Sequence, residues 1–385
     1  MNTRPHIHLN LSPQRAPARS QQDSGFTLVE IMVALTVSLI LMVGIMQLFV
    51  GNKQTSRLGS GVGEVQQTGN FAIELLAENL RMAGYIGCGN KAILTVSAIN
   101  PPFTFTPPMT ADIIPAVAGF SVAGGVWAPA APTNWVGTVP INNSDVLQVN
   151  YGSPQIATLA ADMASTTANV VIASNPDNIA IGDIAIIGDC GNVDIFRVSA
   201  VATAGTNTSL SHAGGTQNTG GNLSKPYILI NPGTGNPTGV QAIRFSSWIY
   251  FVRATGRLAA DGSAIFALYR QNASSSPAPA AQELIEGVER MQVLYGVRQQ
   301  DQTNMQYYTA SNVPLTDWPL VVNIRIALLV SSRERVLDVQ DNNAYALLGQ
   351  NVQRADISGA VITYPDDQRL RRVFSTSVNL RNRGI

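Results

Sequence analysis

Histidine, cysteine and charge are all scarce in this chain of 385 residues. There are three histidines, and His6 and His8 fall within the first 25 residues, which leaves His212 as the one candidate general base beyond them. Ser-His-Asp chemistry needs an imidazole held between two partners. His212 instead lies in the Gly/Thr/Asn/Ser run 204–224, which has little to bury and reads as a mobile loop. The chain therefore reads as a non-enzyme, with no cofactor. Charged residues are 12% of the total and balance at 24 basic and 24 acidic, with no basic stripe. A phosphate-reading surface needs a local Lys/Arg excess, so nucleic acid is not an expected partner. Two cysteines and one histidine are too few for a zinc-type centre, and no metal is expected. Asp183, Asp189 and Asp194 could offer calcium oxygen ligands, but they read better as turn carboxylates, as does the Asp366-Asp367 pair after Pro365.

What the chain does have is one long apolar run, Ile31 to Val50, with a single carboxylate, Glu30, at its start and no other charge. Twenty helical residues rise about 30 Å, the thickness of bilayer hydrocarbon, so the run reads as a spanning helix. Arg4, Arg15 and Arg19 precede it against one acid, Asp23, and basic flanks stay on the cytoplasmic side. The chain beyond Gly51 should then lie outside the cytoplasm. A secretory signal places its small residues and cleavage site after the apolar core, whereas here Gly25 sits before it, so cutting there would leave the helix on the mature protein. A carboxylate in hydrocarbon is costly unless protonated or paired, which marks Glu30 as functional. The alternative is an ordinary signal anchor with Glu30 at headgroup level.

The six residues Gly25-Phe26-Thr27-Leu28-Val29-Glu30, with the basic leader and the apolar run, resemble the processing site of type IV prepilins and of type II secretion pseudopilins. The resemblance implies that a membrane prepilin peptidase cuts after Gly25 and that the new N-terminus, Phe26, is N-methylated. It also implies that Glu30, the fifth mature residue, pairs with the Phe26 α-amine of a neighbouring subunit and so sets the axial stagger of assembly.

An oxidising compartment outside the cytoplasm favours a disulfide between Cys88 and Cys190, the two cysteines of the chain. Two buried free thiols are the other possibility. Closing a loop of roughly 100 residues would contribute about 4–5 kcal/mol in the chain-entropy picture.

The expected organisation is a leader, 1–25, that is removed; an N-terminal helix, 26–83, whose spanning half is 26–50; and a β-rich globular region, 84–385, divisible near 84–240 and 241–385. The glycines of 51–63 predict a kink or local melting, since each costs about 1 kcal/mol in a helix. Beyond them Phe71, Leu75 and Met82 mark an apolar face, widened by Ile73, Leu76 and Leu80, and Gly84 is a stop signal. The Pro/Ala-rich stretch that follows Cys88, as far as Pro132, reads as loops or edge segments. Strands are predicted at 145–151, 169–173, 183–187, 193–201, 321–330 and 372–380 and in the later part of 283–296, with a hairpin of 247–253 and 264–270 about Ala260-Asp261-Gly262. Trp127, Trp135 and Trp248 read as core residues. The fold class is thus α+β: a long pilin-like helix, half transmembrane and half amphipathic, packed on a β-rich periplasmic region with long loops.

The stretches 84–88, 189–190 with 194–198, 283–296, 321–333 and 369–383 narrow the resemblance to the PilW type of minor pilin. That type implies a low-abundance structural subunit of a priming or tip complex, anchored singly in the inner membrane and later carried at the pilus tip. Its implied partners are the prepilin peptidase, other minor pilins, the major pilin, the inner-membrane assembly platform, the membrane before assembly, and a tip adhesin. The competing roles are a type II secretion minor pseudopilin, with the same junction and helix, and a tip adhesin in its own right.

Overall fold

Thr27-Leu28-Val29-Glu30 starts the one helix of eight or more residues among those described, α1 (Leu28–Met82), in this computed structural model. The structure describes residues 25–88, 94–96, 99, 115–132, 135–137, 139–298 and 304–382. The chain divides into two compact units, residues 1–56 and 57–385. In the first, the large apolar side chains of the helix from Leu28 to Val50 are exposed.

The second unit carries the remainder of α1 and the strands. In chain order these are β1 (Leu94–Val96), β2 (Val117–Ala123), β3 (Val126–Ala128), β4 (Ser144–Gly152), β5 (Ala157–Thr158), β6 (Val170–Ile172), β7 (Ile184–Gly188), β8 (Val193–Arg197), β9 (Ala200–Ala204) and β10 (Asn207–Ser211). Then follow β11 (Gln241–Leu258), β12 (Ala264–Asn272), β13 (Gln282–Glu286), β14 (Val288–Val297), β15 (Gln306–Tyr308), β16 (Val321–Arg335), β17 (Tyr345–Leu347), β18 (Gln350–Arg354), β19 (Ile362–Tyr364) and β20 (Arg369–Asn379). The largest sheet has the order β1-β8-β7-β11-β4-β2-β3, with β5 and β12 also on β11 and β13 on β12. A four-stranded sheet runs β15-β14-β16-β20, and two three-stranded sheets are β6-β10-β9 and β17-β18-β19. The 18-residue β11 is the hub of the large sheet, with Trp248 opposite Val149 of β4 and Asn272 of β12.

The main core lies where the large sheet, the four-stranded sheet and the later part of α1 meet. Leu147, Val149, Tyr250, Val252 and Leu268 face Met291, Val293, Ile324, Ile326 and Leu328, with Val65, Ala72, Leu76 and Leu80 of the helix. Fully burying a side chain such as Leu76 stabilises by roughly 2–3 kcal/mol. The helix seam differs from the predicted one: Gly61, Val65, Gly69, Ala72, Leu76 and Leu80 are buried, whereas Phe71 is 58% exposed. Two of the glycines thus serve as contact points. Residues 51–63 stay helical, so the local melting suggested by their composition does not occur. Gly61 is the one buried residue of that stretch, and continuity through the rest follows from cooperative propagation of a helix already formed on both sides. Gly84, at φ +77°, follows the helix end as its sequence signal indicated.

Other expectations are corrected. The Pro/Ala-rich stretch contains β2, whose Val117, Phe120 and Val122 are buried within the large sheet, because three apolar residues at alternate or near-alternate positions find two-sided cover there. Its Pro101-Pro102 and Pro107-Pro108 pairs lie outside the described residues. The run 204–224 contains β10, paired with both β6 and β9, with Leu210 fully buried. One buried leucine and a complete ladder suffice to order what composition alone would leave loose. The β11–β12 hairpin and the strands at β4, β6, β7, β14, β16 and β20 stand where the sequence placed them.

Candidate functional site

The start of α1 is a capping box, the pattern in which Ser or Thr precedes Glu by three residues. The backbone N–H of Thr27 donates to Glu30 Oε2 at 2.9 Å and its hydroxyl donates to the same oxygen at 3.0 Å. In return the Glu30 N–H donates to Thr27 Oγ1 at 3.3 Å. Two of the orphan donors of the helix N-terminus are thereby satisfied. The sequence reading singled out Glu30 and missed Thr27, although T-x-x-E ahead of an apolar run was the available signal. Gly25, Phe26 and Thr27 precede the first helical residue, and Phe26 is 82% exposed. The Gly25–Phe26 peptide bond therefore lies in non-helical, accessible chain, immediately ahead of a carboxylate anchored by its own helix. The apolar surface from Leu28 to Val50 follows directly. By length and composition this helix can cross a bilayer or enter an equally apolar protein bundle.

At its other end α1 is stitched to the large sheet. Gly84 N–H donates to Asn150 O at 2.7 Å and Gly152 N–H to Tyr85 O at 2.6 Å. Cys88 is disulfide-bonded to Cys190, 102 residues away, on the turn between β7 and β8. That turn is itself organised by Asp189, whose Oδ1 accepts the Gly191 and Asn192 N–H groups and whose Oδ2 meets Lys225 Nζ. The exit of the helix is thus tied covalently to a strand turn that closes about a quarter of the chain.

The three acids considered for calcium are held apart by separate partners. Asp183 pairs with Arg244 at 2.9 Å, Asp189 with Lys225, and Asp194 accepts from Ser224 Oγ at 2.7 Å and Tyr227 Oη at 2.8 Å. Asp194 is not a turn residue but a fully buried member of β8. Among the described residues no cluster of His, Cys, Asp and Glu could hold a metal. His212 is buried, with Nδ1 3.0 Å from Gly221 O and Nε2 2.8 Å from Ala168 O, so both ring nitrogens are taken up by the main chain. Trp127, Trp135, Phe120 and Phe251 form a chain of edge-on contacts with centroid separations of 5.9, 5.0 and 4.7 Å.

Two buried polar centres escaped the sequence reading. Arg371, fully buried, donates to Glu289 Oε2 at 2.7 Å and to Asp367 Oδ1 at 2.8 Å, and lies 3.5 Å from Asp341 Oδ2. Burial opposes its charge, but Glu289 and Asp367 outweigh that and hold the guanidinium protonated. This cluster bolts β14, β20 and the segment ahead of β17 together. The other centre is Asp145 of β4, whose Oδ2 accepts the Val293 N–H of β14 and whose Oδ1 accepts from Ser121 Oγ, each at 2.8 Å. Burial pushes its carboxyl up to about 6, against those two hydrogen bonds. Alternating apolar strands revealed neither centre, since an isolated Arg or Asp in a strand reads as solvent-facing until its partners from distant segments are known.

Comparison with known families gives two matches. Residues 249–382 match the family described as type IV pilus-assembly protein W, and residues 21–46 match the prokaryotic N-terminal methylation motif. The first covers β20 and the strands back to Ile249 of β11, including the Arg371 cluster, and the second covers the capping box and the apolar helix as far as Met46. No curated protein and no solved structure matches the chain.

Proposed function

We propose that this chain is a PilW-type minor pilin of a type IV pilus and a structural subunit of the complex that primes pilus assembly and remains at the tip, a reading supported by the two family matches. In this reading prepilin peptidase cuts between Gly25 and Phe26 and methylates Phe26. The helix from Leu28 to Val50 anchors the subunit in the inner membrane, with residues beyond Gly51 in the periplasm. Glu30, already fixed by Thr27, presents its second oxygen to the Phe26 ammonium of a neighbouring subunit, and neutralisation in an apolar medium sets the stagger. Assembly then moves the same apolar surface from lipid into a helix bundle, alongside the major pilin, other minor pilins and the assembly platform.

The observation that carries the reading is the anchored carboxylate on the fifth residue past an accessible Gly–Phe bond, at the head of an exposed apolar helix. Tip placement is supported by bulk. More than 300 residues follow Ser56 in one compact unit, too many to repeat at the close axial spacing of a fibre core, whereas a tip subunit has none above it. The test is deletion of the gene followed by counting of surface pili, together with mass spectrometry of the mature N-terminus. Loss of most pili and a start at methylated Phe26 are the expected results. Normal piliation with a defect in protein secretion would favour the type II secretion pseudopilin instead, and major-pilin stoichiometry in sheared fibres would remove the tip assignment.

A further inference from the structure

The four-stranded sheet ends at β20, and among the described residues nothing pairs with the outer side of that strand. The Leu380 N–H donates to Val322 O at 2.9 Å, so in this antiparallel ladder the even-numbered residues turn their main chain toward β16. The N–H and C=O groups of Val373, Ser375, Ser377 and Asn379 consequently point away from it. Such groups need a partner, and folded proteins blunt free edges with very short strands, Lys, Pro, bulges or a cover. Other edges are shorter: β1, β3 and β15 have three residues each, and β9 and β13 five. Strand β20 has eleven, and from Val373 to Asn379 it contains no charge, no Pro and no Gly. Its one irregularity in pairing lies at the far end, between Ser331 and Arg335. Ser375, Ser377 and Asn379 are exposed, and the latter two are steadied by Asn323 at 3.0 and 2.7 Å.

We propose that the outer edge of β20 is a strand-addition site that takes an extended segment of a different pilin subunit, one bearing a carboxylate near each end of the paired stretch. This rests on the pilin reading above. Main-chain hydrogen bonds supply the affinity in such a site and the flanking side chains select the partner. The flanks are Arg372 and Arg381, both exposed and without an ion pair among the described residues. They also argue against a second copy of this chain. In an antiparallel self-pair centred on Thr376 the outward-facing residues pair odd with odd, so Arg381 falls opposite Arg371 and beside Arg372 at both ends, and the second strand brings arginines where the site calls for carboxylates.

The test uses the full chain in piliated cells, with the photo-crosslinker p-benzoylphenylalanine at position 377. Ser375→Pro removes one outward N–H and leaves the ladder to β16 intact, while the double variant Arg372→Glu with Arg381→Glu reverses the flanking charge without touching the backbone. The expected product is a crosslink to a peptide of another pilin subunit, reduced at least tenfold by either variant at unchanged protein level. A crosslink to a second copy, no crosslink to any pilin subunit, or a yield indifferent to the variants overturns the proposal. Should Ser375→Pro fail to accumulate, the charge-reversed variant decides alone. Pilus loss on gene deletion is read separately, so a crosslink unaffected by the variants in a strain that needs the gene for piliation would sink the edge and leave the function standing.

Discussion

Gly69 of the helix lies directly beneath the ring of Phe374 on β20, so that a Cβ at position 69 would fall 2.3 Å from the ring carbons. The same seam brings Gly61 against Val336, where a Cβ would fall 2.8 Å from Cγ1. Absence of a side chain is therefore what lets helix and sheet approach.

Alanine substitution should consequently have opposite signs along one helix. Replacing an open helical glycine stabilises by up to about 1 kcal/mol, and Gly63 has nothing within 4 Å of its would-be Cβ. Overpacking a fitted contact costs about 1–3 kcal/mol. Gly63→Ala should raise, and Gly69→Ala lower, the thermal midpoint of the full chain in detergent. Equal shifts would show that the seam does not depend on the missing methyl.

Arg371 bridges three carboxylates from three segments, Glu289, Asp341 and Asp367. Truncating one partner of a buried ion cluster strands the others and costs about 3–5 kcal/mol. Arg371→Ala should lose that amount in denaturant unfolding, and Arg371→Lys, which keeps charge but not the bidentate grip on Glu289, should recover only part of it.

Asp145 gives a pH dependence of definite sign. Its folded-state carboxyl titrates near 6 rather than near 3.8, so the folded protein binds the proton more tightly than the unfolded chain. That contribution is complete below about pH 4 and is lost as pH rises through about 6, amounting to about 3 kcal/mol. Relative to wild type, Asp145→Asn should gain stability between pH 4.5 and 7.5. A wild-type-minus-variant difference that stays flat over this range would refute the buried titration.

Thr27 and Glu30 should separate in their effects. Thr27→Ala removes the hydroxyl donor to Glu30 and the acceptor for its N–H, a cap worth about 1 kcal/mol. It should leave Glu30 able to pair with a neighbour, giving near-normal incorporation into pili. Glu30→Val removes the charge, and on the proposed function it should insert in the membrane normally yet be largely absent from sheared fibres. Incorporation of Glu30→Val at the wild-type level would exclude charge pairing.

Strand positions and the membrane-length apolar segment were legible because both follow from local pattern: β4 and β14 alternate in part, β16 is a short apolar run, and 31–50 is uninterrupted. Side-chain assignments that depend on a distant partner were not. Gly61 and Gly69 look like helix breakers until Val336 and Phe374 are placed against them. Phe71 looks like core, yet the buried seam runs along a different face of the helix. His212 looks loose until the carbonyls of Ala168 and Gly221 close on it.

By itself the sequence determined the membrane-length helix, the carboxylate and Gly–Phe bond at its head, and the order of most strands, since these rest on local pattern and on a short contiguous motif. The tertiary structure alone decided which helix face is buried, how Arg371 and Asp145 are satisfied, and which strand is left with an open edge. Each of those depends on groups brought together from segments far apart in the chain, and local pattern carries no information about which segments will meet.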